Sequence, residues 1–513
     1  GAANYTRLVI KPTSPSVTIS GNFTGAVVRL NGADRVTIDG RVGSDTTRQL
    51  TIASLSTSTS YTAALDLINA GSGNGCKLDT IKYCKFNSGT ISNTANSYGI
   101  AIFGSSFCDM DSNVVSNNLC TKSRYGIYVV GIAADFCQSI QINNNIVGSD
   151  VPSLLVAEIG IYNQYVNGAV VSNNTIFNQQ TSKNVTPRGM YLDNVTNSII
   201  SSNLIYGGSN TGSSNSKGSH GVTLNLTSNA NVDVYNNVIY KLEGYGSATS
   251  SGNIWGIALL AGSKVNFYNN TIFIGGVRSS GVTSDTIGCL MINNPATNQL
   301  NIKNNIFLIT RNPSDVTNGA CFSLYTKTNS SAFLSCDYNF YFGDIDKYRV
   351  GYLNGAKLTI SNWRTATGQD VHSQFIDPNI GYGTFLQPGS LSPCMNAGVP
   401  VPIVTSDFLG TVRSLTVPSI GAYETGLSPF SGTINIGTGG DYSDLSDAFE
   451  VLNVRGLNGN VEMNVISNVT EAGEVIALNN LYEAPGGPYF INLKPVGGHR
   501  VVSGNIGNGA ILY

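Results

Sequence analysis

Only 11% of the 513 residues are charged and the formal net charge is −2, so the chain has no basic footprint for nucleic acid. Apolar residues reach 41%, but no apolar run approaches the roughly 18–20 residues of a membrane span. No signal peptide is recognised at Gly1, and the Ser-, Thr- and Asn-rich, low-charge composition points to an extracellular or cell-surface β protein.

Along the chain the first regular marker is a glycine leading a short apolar run. It occurs at Gly99-Ile100, Gly126-Ile127, Gly160-Ile161, Gly189-Met190, Gly221-Val222, Gly256-Ile257 and Gly288-Cys289. A second marker, asparagine before apolar residues, runs in phase at Asn113, Asn145, Asn174, Asn203, Asn237, Asn270, Asn305 and Asn339. The asparagine spacings are 32, 29, 29, 34, 33, 35 and 34 residues. A repeat of this length signals a solenoid or propeller, and the runs between Gly, Ser, Asn and Thr read as strands. A propeller blade needs four strands in about 40–50 residues, so a parallel β-helix fits better, each period forming one coil about 4.8 Å above the last. The asparagines are then a structural ladder, turning left-handed corners and bonding from coil to coil. Tyr206, Tyr240, Phe273 and Phe307 follow that ladder and are expected to pack. A glycan would instead need an exposed stripe of aromatic and polar groups.

Acidic residues are sparse in the coils. Asp109 and Asp111, with Asp79 about one coil earlier, form the tightest cluster, and Lys82 or Arg124 are candidate neighbours. Calcium binding or acid–base catalysis would require the three carboxylates to share one groove; solvated turn charge is the plainer reading. His220, His372 and His499 show no catalytic spacing, and no phosphate loop or Ser-His-Asp arrangement is present. Nine cysteines lack zinc spacing. Cys108 and Cys137, 29 residues apart, fall on neighbouring coils, where either a buried thiol ladder or a disulfide fits; the thiol ladder is preferred.

Past the coils the chain carries Trp363, Asp377-Pro378, Ser392-Pro393-Cys394, Asp407-Phe408-Leu409-Gly410-Thr411-Val412-Arg413 and Ile420-Gly421-Ala422-Tyr423-Glu424. These blocks resemble the closing segment of right-handed parallel β-helix repeat domains in large secreted bacterial surface proteins, of the adhesin and gliding-associated kind. Asn396 departs from the Asp common there. Gly439-Gly440-Asp441-Tyr442, followed by apolar positions 445, 448, 449 and 452, resembles that family's N-terminal cap helix, with Asp441 or Ser443 as N-cap and Gly456 as its stop. Leu493-Lys494-Pro495 then echoes Ile10-Lys11-Pro12 at an offset of 483 residues.

Together these features predict an all-β, right-handed parallel β-helix (pectate-lyase-like) over 1–358, a closing cap over 359–428, and the cap helix and first strands of a second module over 429–513. The resemblance implies a structural or adhesive, non-catalytic module of a long surface fibre or filament, with neighbouring modules end to end as partners. Asp79-Thr80-Ile81 and Asp285-Thr286-Ile287 resemble the O-glycosylation sites of such proteins at Thr80 and Thr286. The alternatives are a glycan-binding module, or a polysaccharide lyase or hydrolase working in the groove of Asp79, Asp109 and Asp111.

Overall fold

The computed structural model describes residues 6–504 apart from 93, 105–107, 213–216, 229, 245–252, 263, 277–285, 294–298, 312–318, 328–332, 344, 382–385 and 472–475. Short runs of alternating apolar residues, broken by turns, leave each strand one favourable partner, the equivalent strand one coil later. Three long parallel sheets result, forming the expected right-handed β-helix. Sheet A has 11 strands, from Leu8–Ile10 to Phe333–Asp337; sheet B has 11, from Val17–Gly21 to Phe340–Phe342. Sheet C has 12, from Gly25–Asn31 to Ala356–Lys357, and its last pair is antiparallel.

Inward side chains pile in register. Ile100, Ile127, Ile161, Met190, Val222 and Ile257 stack coil upon coil in sheet C and are buried. Each such side chain contributes about 1.5–3 kcal/mol of transfer free energy. The glycine marker has a steric cause. A Cβ on Gly126 would lie 2.6 Å from the carbonyl oxygen of Gly160, and one on Gly160 2.6 Å from that of Gly189. Only a residue without a side chain lets the coils meet there. The expected marker Gly288 is off by one: it pairs with Trp255, and Cys289 follows Gly256 in the column.

The asparagine ladder is present, with one member corrected. Nδ2 of Asn118 donates to Oδ1 of Asn145, and the relay continues through Asn174, Asn203, Asn237, Asn270, Asn305 and Asn339 at 2.9–3.2 Å. Asn113 stands outside it. It leads a strand of sheet A instead of sheet B and accepts the backbone N–H of Asp79 at 2.9 Å. The left-handed corner also belongs to a different residue from the one expected. Asn144, Asn173, Ser202, Asn236, Asn269 and Asn304, each just before a ladder asparagine, hold φ between 52 and 58°. One residue turns the chain and the next bonds to the neighbouring coil.

Helix α1 (Ile360–Thr367) starts at the Thr359 cap and stops at Gly368, which has φ 66°. It lays Trp363 and Ile360 against the end of the core. Asp370 then closes the ladder, accepting from Trp363 Nε1 at 2.7 Å, Tyr341 OH at 3.0 Å and Asn339 Nδ2 at 3.3 Å. The following segment runs back along the outer face of sheet B. Ile380, Leu386, Cys394, Ile420 and Tyr423 cover Tyr240, Phe273, Ile306 and Phe340. Arg413, almost wholly buried, pins it by pairing with Glu424 at 3.0 Å and donating to Asn236 Oδ1 at 2.8 Å.

A second small core follows. Strands Phe430–Ile436, Leu457–Val465 and Ile491–Pro495 pair in parallel, and helix α2 (Leu445–Arg455) buries Leu445, Ala448, Phe449 and Leu452 against them. The N-cap is Asp444, not Asp441 or Ser443: its side chain accepts the N–H of Asp447, while Asp441 accepts that of Asn435. Buried Glu471 takes the N–H groups of Leu445 and Ser446, satisfying further orphan donors of the first turn. Gly456 ends the helix as expected.

Candidate functional site

The acidic trio does not converge. Asp79 is wholly buried on the inner side of its corner, where Oδ1 accepts the N–H of Val36 at 2.7 Å. Burial lifts its carboxyl to about 7. Asp109 and Asp111 both turn to Lys77, at 3.0 and 3.8 Å. Asp109 also accepts the N–H of Gly73, and Asp111 that of Gln138. Lys82 pairs with Asp39 and Arg124 with Glu158, so neither joins the trio. Among the described residues no three His, Cys, Asp or Glu side chains gather as metal ligands, Asp79, Asp109 and Asp111 included.

Cys108 and Cys137 are joined as a disulfide with Cα atoms 5.5 Å apart, which corrects the preferred thiol ladder at this pair. The other seven cysteines are free and buried. Thr80 is half-buried on sheet A between buried Asp79 and Ile81. Thr286 begins a sheet C strand, and Asp285 lies outside the described residues. The aromatic row after the ladder is packed. Phe177, Tyr206 and Tyr240 stack at 5.0–5.2 Å, while Tyr240 and Phe273 lie beneath the closing segment. Phe307 slips one register position into the interior beside Ile272.

The stripe that combines aromatic and polar groups lies on the outer face of sheet C. Because strand side chains alternate, the residue after each interior apolar position points outward. One outward column runs Tyr128, Tyr162, Tyr191 and Thr223. A second contains Tyr98 and Tyr125, then, on from Ile159, Arg188, His220 and Trp255. Tyr128 stacks on Tyr162 at 4.7 Å and Tyr98 on Tyr125 at 5.4 Å. Tyr61 and Phe103 extend the cluster at 5.5 Å from Tyr98. The rings stack along the solenoid axis, so this strip offers ring edges and phenol hydroxyls at about the inter-coil spacing.

Polar groups flank the rings. Arg124 lies 4.8 Å over Tyr125 and holds Glu158 at 2.7 Å. Burial lowers the Arg124 guanidinium, but bonding to Glu158 outweighs this and leaves it raised. Arg188 lies 4.7 Å over Tyr191. At the opposite edge Asp193 accepts from Gln164 Nε2 at 2.6 Å and Asn225 Nδ2 at 2.8 Å. His220 is outward but fully covered, its Nδ1 sharing a hydrogen bond with Thr223. Burial raises the phenols of Tyr125, Tyr128 and Tyr162, so they stay neutral. The sequence did carry a signal for this face: Gly126-Ile127-Tyr128, Gly160-Ile161-Tyr162 and Gly189-Met190-Tyr191 repeat the tyrosine two residues after the marker glycine.

No family model and no curated protein matches the chain. Solved structures similar to it include DFA-IIIase from Arthrobacter chlorophenolicus A6 in complex with DFA-III, at 13% identity and TM-score 0.30, covering 81% of this chain and 89% of that one. Another is the PL6 family alginate lyase AlyGC, at 10% identity and TM-score 0.33, covering 98% of this chain and 71% of that one. The expectation of a non-catalytic fibre module runs contrary to these structures, whose names are those of enzymes. The likeness concerns the β-helix and transfers neither structure's activity to this chain.

Proposed function

We propose that this protein acts on a polysaccharide held along the outer face of sheet C. The observation that carries the reading is the strip of Tyr98, Tyr125, Tyr128, Tyr162 and Tyr191 with guanidinium and carboxylate groups beside it. Amphipathic aromatic edges and fixed polar groups are what a sugar chain, itself both apolar and hydroxyl-rich, requires. Within this face Glu158 supplies a carboxylate able to accept a proton, oriented by Arg124, and the neutral phenol of Tyr125 or Tyr162 supplies a donor. The Cys108–Cys137 bond and the low charge support a location outside the cytoplasm. The test is product release from a polysaccharide panel by native protein and Glu158→Gln. Loss of release with binding retained supports the assignment of Glu158. Unchanged release removes it, and binding without release by the native protein leaves a carbohydrate-holding face without turnover.

A further inference from the structure

Arg188 is the unusual cation of this face. The ionic neighbours on its strip are paired: Arg124 with Glu158, and Asp193 with Gln164 and Asn225. Among the described residues half-buried Arg188 has neither a hydrogen-bond acceptor nor an ion-pair partner, although a protein normally satisfies the buried part of a guanidinium. Its Nε is buried and unbonded. Its plane lies 4.7 Å over the ring of Tyr191, which fixes its orientation without neutralising it. Tyr125, Tyr162 and Glu158 are the other groups whose fields reach it. Arg188 thus stands unpaired beside a Glu158 that Arg124 already holds, with Asp193 engaged at the opposite edge of the strip.

We propose that Arg188 receives an oxyanion carried by the sugar, a uronate carboxylate or a sulfate ester, making the substrate an acidic polysaccharide. With Nε closed off, the two terminal nitrogens form the contact end-on, the fork geometry that suits two oxygens of one anionic group. Burial lowers the guanidinium from its ordinary value, and an anion arriving in this partly dry site would restore it. Arg124 stays engaged with Glu158, so the anion is read by Arg188 while Glu158 keeps the orientation its proposed role requires. This inference rests on the sheet C reading and narrows it to one substrate class.

The experiment compares binding of three oligosaccharides of equal length, one uronate-bearing, one sulfated and one neutral, to the full chain and to Arg188→Gln and Arg188→Lys. The expected result is a preference for an acidic chain that falls about tenfold or more in Arg188→Gln and is only partly kept by Arg188→Lys, which restores charge but not the fork. Whichever acidic probe shows the loss identifies the anion as carboxylate or sulfate. Equal binding of acidic and neutral chains by native protein overturns this inference and leaves the sheet C reading standing. An acidic preference unchanged in Arg188→Gln also overturns it. Binding of no sugar at all overturns both. An unchanged thermal midpoint shows that Arg188→Gln is folded.

Discussion

Asn203 Nδ2 donates to Asn237 Oδ1 at 2.9 Å, and the same amide also reaches the carbonyl of Val171. In the other direction Asn203 Oδ1 accepts both the backbone N–H and the side chain of Asn174 at 3.0 Å. One side chain therefore serves groups on both adjacent coils, all of them buried.

Removing that side chain should be costly. Asn203→Ala leaves buried donors and acceptors unmet, each costing about 1–3 kcal/mol, so a loss of at least about 3 kcal/mol is expected in equilibrium denaturation. Asn113→Ala, outside the main relay, should cost less. Equal losses in the two variants would show that the relay adds nothing beyond local turns.

Asp79 occupies a corner where its Oδ2 is buried without a partner, whereas Asn113 one coil later uses Nδ2 to donate to the carbonyl of Cys76. The folded carboxyl titrates at about 7 against 3.8 for the ordinary group, so the native state binds the extra proton between these values. Stability from this group is full below pH 3.8 and declines as pH rises to about 7. Asp79→Asn should remove that slope and stabilise the fold by a few kcal/mol at pH 8, since each pH unit between the two titrations is worth about 1.4 kcal/mol. Parallel pH–stability curves for the two proteins would contradict the burial of this carboxyl.

The Cys108–Cys137 bond closes a loop of 29 residues. Cys108→Ser with Cys137→Ser should lower stability by about 2–4 kcal/mol in oxidising buffer and abolish the effect of added reductant. Reductant sensitivity that persists would place the bond elsewhere.

Arg413 joins the closing segment to the coil through Asn236 and pairs with Glu424, both charges nearly buried. Arg413→Met strands Glu424 and should cost about 3–5 kcal/mol, loosening the segment over sheet B before the coils melt. Protease cleavage between the coils and Glu424 is the readout, and native resistance would contradict the pinning role.

The period, the solenoid and the ladder asparagines were legible because backbone sterics and polar satisfaction impose them on every coil. Asn113 misled because it leads an apolar pair as the true members do, but on sheet A. Its neighbour Asn118, five residues on, lay before the weaker run Leu119-Cys120-Thr121. The acidic trio rested on spacing alone. Proximity in sequence placed Asp79 within a coil of Asp109, yet the corner at Leu78, with φ 59°, leaves its carboxyl facing inward to Val36. The tyrosine strip was written in the Gly-apolar-Tyr repeat, but only pairing register distinguishes an outward aromatic from an inward one. Arg188 had no sequence signal, because being unpaired is a property of its neighbours.

The placement of the site on sheet C is tested most directly by polysaccharide binding to the full chain and to Tyr128→Ala with Tyr162→Ala, using Asp109→Ala as the control away from that sheet. A site on sheet C predicts that the tyrosine pair lowers affinity at least tenfold, about 1.4 kcal/mol, while Asp109→Ala leaves it unchanged. Full affinity in the tyrosine variant, or loss in Asp109→Ala alone, would contradict it.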